Sequence, residues 1–579
     1  MLRTLYTPRG EQMIGPMSEK PWNVYPRPQM RRDSYVNLNG NWLFRVSDDP
    51  TVPEKVADQQ LPQQYPYGIK VPFCPESVLS DLHMQIQPGS WLFYFYRVQL
   101  PQGFRKDRVL LHLGAVDQIA DIYVNQKELL HHEGGYEAFT VDITDAFTGD
   151  TFDLVIRCYD DLKDQSFPYG KQTLNRGGMW YTPVSGIWQS VWLESVPAEY
   201  IQRLNIENRG ASVTITTEPV LDGNVILAGQ EYPLVNGSVT IAPEDPHFWS
   251  PEDPYLYNFA VETAQDRVES YFALRTLETK VIDGIPRLCL NGKPYFFHGL
   301  LDQGYWPDGL LTPAAPECYA DDIQAMKNLG FNMLRKHIKV EPEEFYYQCD
   351  KLGMIVFQDM VNNGDYSFFR DTALPTVGLQ KLDDRRLHRD EKTRQRFIRG
   401  METTVRQLKN HPCIVYWTIF NEAWGQFDSD NVYTLFKKLD DTRFIDSTSG
   451  WFRRKNTDVE SLHIYFGSWD NKIKVYDKPL VLSEFGGYAY AVEDHIFNPD
   501  KAYGYKSCKS EADFRRDLIT LYEEKVIPAI KKGLCAAVYT QVSDVEDEIN
   551  GLLTYDRKVC KADPETMRAI AEKLHKAIL

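Results

Sequence analysis

The sequence predicts two β-sandwiches followed by a (β/α)8 barrel, and three observations carry that reading. Up to residue 275 the chain is a succession of short β-branched and aromatic runs separated by turn residues, with no competing helical period. Beyond residue 275, strand-like apolar runs alternate with helical stripes, the pattern of βα units on a parallel sheet. Glu422 and Glu484 each follow one of those apolar runs. A carboxylate at the carboxyl end of a buried parallel strand stands where such a barrel keeps its active site.

The first sandwich is assigned to residues 1–198. Its strands include 91–98, 109–113, 119–124 and 151–156, the last alternating Phe152, Leu154 and Ile156 on one face. Between 199 and 275 the strands shorten (212–216, 225–227, 238–242 and 256–261), which suits a smaller sandwich of immunoglobulin type. Residues 276–579 form the barrel, with candidate strands at 294–300, 331–335, 354–358, 414–420, 444–448, 461–465, 480–483 and 534–541. Helical stripes fall between them: Tyr319, Ile323, Met326 and Leu329 in one, Phe397, Met401, Val405 and Leu408 in another. The segments 361–388 and 487–512 lack a period and read as loops over the active-site face.

Composition bounds the function. At 579 residues the chain exceeds one core, and roughly three or four domains is the expectation. A net charge of −17 argues against nucleic acid or an anionic membrane as partner, because either selects a basic face. No apolar run reaches the roughly 18 residues of a membrane span. The opening residues carry no apolar signal region, and Cys158, Cys289, Cys413 and Cys535 lie inside strand-like runs as buried thiols of a reducing compartment. A cytoplasmic address is the expectation. No paired-cysteine or Cys/His cluster with zinc-ligand spacing occurs.

Several motifs, in order along the chain, resemble glycoside hydrolase family 2, the family of bacterial β-galactosidases and β-glucuronidases. Tyr25-Pro-Arg-Pro28 followed by Leu38-Asn-Gly-Asn-Trp42 is similar to the family's opening, and Gly186-Ile-Trp-Gln-Ser-Val-Trp-Leu193 to the close of its sugar-binding jelly-roll domain. The run from Phe248 to Tyr257 resembles the end of its immunoglobulin-like domain. Asn332-Met-Leu-Arg335, Asn421-Glu422 and Ser483-Glu-Phe-Gly-Gly487 resemble its catalytic barrel. The resemblance spans nearly the whole chain and implies a carbohydrate or glycoconjugate substrate.

It also implies roles. Glu422 is expected to be the acid/base, protonated to expel the leaving-group oxygen and then ionised to activate water, with a raised pKa from partial burial and the charge on Glu484. Asn421 is expected to donate to the sugar 2-hydroxyl. The alternative for Glu422 is a surface glutamate capping the next helix. Glu484 is expected to be the nucleophile, kept ionised by Arg335 after the second strand, for which the alternative is a structural ion pair. Tyr465 resembles the family tyrosine that hydrogen-bonds the nucleophile; its alternative is core packing.

The loop 301–309 mixes carboxylates with aromatics, so Asp302, Tyr305, Trp306 and Asp308 are candidate sugar contacts, or simply a turn. His337, Asp359, His463 and Trp424 fall at strand ends on the same face, and Tyr539 takes the place of the aromatic floor beneath the sugar, often tryptophan in the family. Family β-glucuronidases hold the sugar carboxylate with an Asn-x-Lys pair after the eighth strand; here the matching positions are Glu548-Ile549-Asn550, in a loop that also carries Asp544, Glu546 and Asp547. Like charge repels a uronate. The expected activity is therefore a retaining exo-β-glycosidase acting on a neutral sugar such as a β-D-galactoside. β-Glucuronidase, β-galacturonidase and β-mannosidase are the alternatives within the family, and a non-catalytic carbohydrate-binding protein is the alternative outside it. No metal or cofactor is expected, because the magnesium ligands of the large β-galactosidases have no counterpart; self-association stays open.

Overall fold

The computed structural model describes residues 2–14, 20–376 and 383–579. At the amino end a six-stranded sheet (Tyr67–Val71, Gly40–Ser47, Trp91–Gln99, Thr151–Tyr159, Ile119–Val124, Lys127–Glu133) faces a four-stranded one (Val36–Asn37, Val191–Val196, Arg108–Leu113, Phe139–Asp142). Phe152, Leu154 and Ile156 point into the shared core with Leu92, Tyr94 and Val109, as a period of two requires. Val155 points the other way and joins a second cluster with Tyr65, Phe93 and Phe95, so the strand is covered on both faces.

The next sandwich packs three strands (Arg203–Arg209, Ser212–Glu218, Ser238–Ile241) on four (Gln230–Leu234, Gly223–Leu227, Tyr257–Thr263, Arg267–Phe272), around Ile215, Val225, Val261 and Phe272. The opening segment stitches the sandwiches together. Arg27 meets the buried Glu194 at 2.6 Å, and Arg32 meets Asp266 at 2.7 Å.

The barrel is a single sheet of eight parallel strands: β1 Phe297–Asp302, β2 Met333–Lys336, β3 Ile355–Asp359, β4 Ile414–Asn421, β5 Phe444–Ser449, β6 Glu460–Ile464, β7 Leu480–Gly486 and β8 Leu534–Thr540. Each coincides with a predicted run. Pro294, at the head of the first predicted run, instead belongs with Lys293 to a preceding three-stranded sheet with Leu277–Ile282 and Ile285–Leu290. From that sheet Arg287 donates to the carbonyls of Ile530 and Leu534, bracing the amino end of β8.

Hydrogen-bonded pairing runs β5-β4-β3-β2-β1-β8-β7-β6, leaving a seam between β5 and β6. Side chains and loop backbone bridge that seam: Asp458 accepts from the Ile445 amide at 2.9 Å, and Ser449 Oγ meets His463 Nε2 at 2.9 Å. Among the described residues no helix separates β5 from β6 or β6 from β7. The helices that do form bury the predicted stripes. In Glu317–Asn328 these are Tyr319, Ile323 and Met326; in Glu391–Leu408, which Asp390 caps through the Thr393 amide at 2.8 Å, they are Phe397, Met401, Val405 and Leu408. Of the loop predicted at 361–388, residues 377–382 lie outside the described residues; the rest holds only short helical turns, and 487–512 holds two two-residue strands. All nine cysteines are free thiols.

The strand that carries Glu422 is anchored at its start by one buried carboxylate. Asp350 accepts from the Cys413 amide, from Tyr271 of the second sandwich and from His411 Nδ1, each at 2.7 Å. Removing the charge leaves three buried partners poorly satisfied, so Asp350→Ala should cost on the order of 3 kcal/mol. Urea unfolding should show a lower midpoint with an unchanged slope; a midpoint equal to wild type would mean that β4 is held elsewhere.

Candidate active site

β4 ends in a backbone turn that sequence pattern does not reveal. Glu422 and Ala423 take φ of +48° and +66°, a region that non-glycine residues rarely enter, and the Trp424 amide closes the turn on the Asn421 carbonyl at 2.8 Å. Gly425 follows at φ +65°, where a Cβ would stand 2.1 Å from the Asn363 carbonyl oxygen, so only glycine fits. The turn lifts the Glu422 carboxylate over the barrel mouth.

Glu484 faces it from the end of β7. One oxygen from each glutamate and a His463 ring nitrogen all lie within 4.8 Å of one another. His463 Nδ1 is 2.7 Å from Glu422 Oε1 and 3.6 Å from Glu484 Oε2. Among the described residues this is the one group whose donors could also close on a metal ion, but direct hydrogen bonds already engage them.

Arg335 organises the floor. Its buried guanidinium donates to Glu484 Oε1 and the Ser483 carbonyl at 3.0 Å, to Asp359 Oδ1 at 3.0 Å and to Asn421 Oδ1 at 2.8 Å. Tyr465 donates to Glu484 Oε2 at 2.5 Å, and burial holds its phenol well above the ordinary value, so it remains a donor. Burial alone would push Glu484 up; His463 and Arg335 outweigh it and hold the carboxyl at about 2. With its oxygen on Arg335, Asn421 keeps Nδ2 as a buried donor without a protein partner. His337 Nδ1 lies 2.8 Å from Asp359 Oδ2, and burial pushes this imidazole down to about 4, so it is neutral at physiological pH.

The structure thus brings Glu422, Glu484, Asn421, Arg335, Tyr465, His463, His337, Asp359 and Trp424 to one end of the barrel. The loop after β1 behaves differently. Asp302 is bonded to Lys336 at 2.6 Å. Tyr305 and Trp306 are buried in the core, Tyr305 edge-on to Tyr181 and Trp306 beneath Arg557. Asp308 is fully buried against Thr7, whose amide donates to it at 2.8 Å. Tyr539 is not the expected floor. Its neighbour Thr540 reaches Tyr465 at 2.9 Å, and alternation along β8 sends Tyr539 outward, against Gly486, Phe485 and Tyr522.

Other residues enter that the sequence did not single out. The segment 160–190 leaves the first sandwich and crosses the barrel mouth. Tyr181 donates to Glu548 Oε2 at 2.5 Å, Trp180 stacks on Trp424 at 5.3 Å, and the buried Lys171 places Nζ 5.0 Å from the Trp424 ring centre. Tyr505 stacks on Tyr465, and burial holds its phenol well above the ordinary value. The rest of the acidic loop is paired: Asp544 with Lys561 at 2.7 Å, and Glu546 and Asp547 with Arg176.

Comparison with known proteins agrees with this geometry. The model of the glycosyl hydrolases family 2 TIM barrel domain matches residues 286–572, and a second model described as glycosyl hydrolases family 2 matches 198–275. A β-glucuronidase of Chlorocebus aethiops is 25% identical over 80% of this chain and 80% of its own length. A β-galactosidase of Thermoanaerobacter pseudethanolicus is 22% identical over 82% of this chain and 65% of its own. The solved β-glucuronidase of an uncultured Clostridium sp. superposes with a TM-score of 0.68 at 19% identity, covering 96% of this chain and 99% of that one. No helix among the described residues is long and apolar enough to cross a membrane. With the barrel, its sandwiches and both family matches in agreement, this chain belongs to glycoside hydrolase family 2 and is a β-glycosidase.

Proposed function

We propose that the chain is a retaining exo-β-glycosidase in which Glu484 is the nucleophile and Glu422 the acid/base. The observation that carries this is the short gap between the two carboxylates, with oxygens within 4.8 Å. Retaining enzymes separate the pair by about 5–5.5 Å, whereas inverting enzymes need roughly 6.5–9.5 Å to admit a water. In the first step Glu484 attacks the anomeric carbon while protonated Glu422 gives its proton to the glycosidic oxygen, and the leaving group departs as an alcohol. In the second, Glu422 takes a proton from water, whose oxygen displaces Glu484 from the same carbon. Asn421 Nδ2 is the donor for the 2-hydroxyl. His463 serves Glu422: Ser449 donates onward to Ser483, so it accepts from His463 Nε2–H, and Nδ1 meets Glu422 Oε1 at 2.7 Å.

For the glycone we infer a neutral sugar. Glu548, in the loop after β8, has only neutral donors, Tyr181 and Asn550 Nδ2 at 2.9 Å, so its charge is uncompensated and hostile to a carboxylate. A second reading, a uronate, has one specific observation behind it: no carboxylate among the described residues lies within ion-pair distance of Lys171 Nζ, and the names of several relatives specify β-glucuronidase.

A 2-deoxy-2-fluoro glycoside with an activated leaving group should label Glu484, located by peptide mapping. Glu422→Ala should still form that ester from activated aryl glycosides and should yield a β-glycosyl azide with azide; an α product would reverse the two assignments.

The pH dependence follows from Glu484. Because its carboxyl is held at about 2, below the ordinary 4.5, its ionised form stabilises the folded chain above pH 4.5, and that contribution disappears as pH falls toward 2. Arg335→Gln should move the acid limb of kcat/KM upward by roughly one unit or more. An unmoved limb would mean that Arg335 does not set the charge on Glu484.

Across p-nitrophenyl β-glycosides, a neutral hexoside such as the β-D-galactoside should exceed the β-D-glucuronide by roughly tenfold in kcat/KM. Glu548→Gln should narrow the gap. A wild-type preference for the glucuronide that Lys171→Ala abolishes would establish the uronate reading instead.

A further inference from the structure

Beside the catalytic cavity lies a cleft of about 520 Å³ between the excursion of the first sandwich and the loop after β3. That volume falls within the roughly 300–1,000 Å³ typical of small-molecule sites. Gln118, Thr173 and Asn175 line it from the sandwich, and Tyr169, Trp180 and Tyr366 supply aromatic surface. Resting on the glycosidase reading above, we infer that this cleft holds the leaving-group side of the substrate, and that the group it holds is itself a carbohydrate.

Position supports the first half. Trp180 and Tyr366 both line the cleft and pack on Trp424. Trp180 stacks on Trp424 at 21° between planes, and Tyr366 meets Trp180 edge-on at 5.1 Å and Trp424 at 5.4 Å. Trp424 stands two residues beyond Glu422. The cleft therefore opens on the side of the residue that protonates the departing oxygen, and a departing group leaves on that side.

Chemistry supports the second half. A pyranose offers C–H faces to aromatic rings and hydroxyls, both donor and acceptor, to amides and carboxylates. The cleft offers the complement: an indole, phenol rings, the side-chain amides of Gln118 and Asn175, and the Thr173 hydroxyl. An apolar aglycone would strip water from these groups and return no hydrogen bond, at a cost that selects against it. Excursion residues hold the walls in place. Tyr169 donates through its hydroxyl to the Gly364 carbonyl at 3.0 Å and through its amide to the Asn362 carbonyl at 3.1 Å, so the sandwich and the loop after β3 are joined across the cleft floor.

The experiment uses the full chain trapped as its 2-fluoroglycosyl ester, made with the glycone that the nitrophenyl panel selects. Reactivation is followed in buffer and with added methyl β-D-glucoside, methyl β-D-galactoside, methyl β-D-xyloside, cellobiose or benzyl alcohol. At least one sugar should accelerate release about tenfold and saturably, while benzyl alcohol does not. Asn175→Trp, which fills the cleft from an exposed position, should abolish the saturable phase. Acceleration that survives Asn175→Trp would place the acceptor elsewhere and overturn the assignment. Benzyl alcohol alone accelerating release would overturn the carbohydrate class, and no acceptor accelerating it would overturn the site. Failure to trap any ester at Glu484 would instead count against the glycosidase mechanism, so the two outcomes stay distinct.

Discussion

Four barrel strands meet at the guanidinium of Arg335. It stands on β2, takes Asp359 from β3, orients Asn421 at the end of β4, and touches both the carbonyl and the carboxylate at the Ser483–Glu484 step of β7. A buried cation is costly unless its hydrogen-bonding capacity is used, and here it is spread over two carboxylates, an amide and a carbonyl. The planar fork of arginine can address these partners at once, where a lysine ammonium could not. The same contacts keep Glu484 ionised in a dry site and turn Asn421 so that its free N–H₂ faces the cavity. Charge state and orientation at the reacting centre thus share one cause.

Around that centre the two glutamates live in different electrical surroundings. Glu484 accepts from Arg335 and Tyr465 and is held low; Glu422 has a histidine at 2.7 Å as its direct partner. Dissimilar environments for paired carboxylates are what acid/base and nucleophile roles require. The seam of the barrel supplies this difference. Because β5 and β6 share no ladder, Ser449 and His463 meet across the gap, and Ser449 continues to Ser483 at 2.9 Å. An interruption in the sheet becomes the place where a histidine reaches Glu422.

The first sandwich is part of the site as well. Its excursion over residues 160–190 brings Lys171, Trp180 and Tyr181 against Trp424 and Glu548, and Arg396 ties it to the barrel through Asp164. An acidic loop and a cationic side chain therefore face each other across the same mouth.

Residue order by itself determined the barrel, its eight strands and the two glutamates, because a buried parallel strand reads as an unbroken apolar run and its end is marked by the first polar residues. Arg335 was legible for the same reason, whereas Asn421 and Tyr465 were singled out through the family resemblance. The loop after β1 was not: Asp302, Tyr305, Trp306 and Asp308 have the composition of a sugar-binding surface, yet Lys336, Tyr181, Arg557 and Thr7 occupy them, all but Lys336 from distant parts of the chain. Tyr539 was misdirected by a one-residue step, since neighbours on a strand face opposite ways. Lys171, Trp180 and Tyr181 acquire meaning only when a sandwich loop crosses a barrel hundreds of residues later in the chain. Strand periodicity is a local property, written in neighbouring residues; the lining of the mouth is a contact between domains, and only tertiary packing decides it.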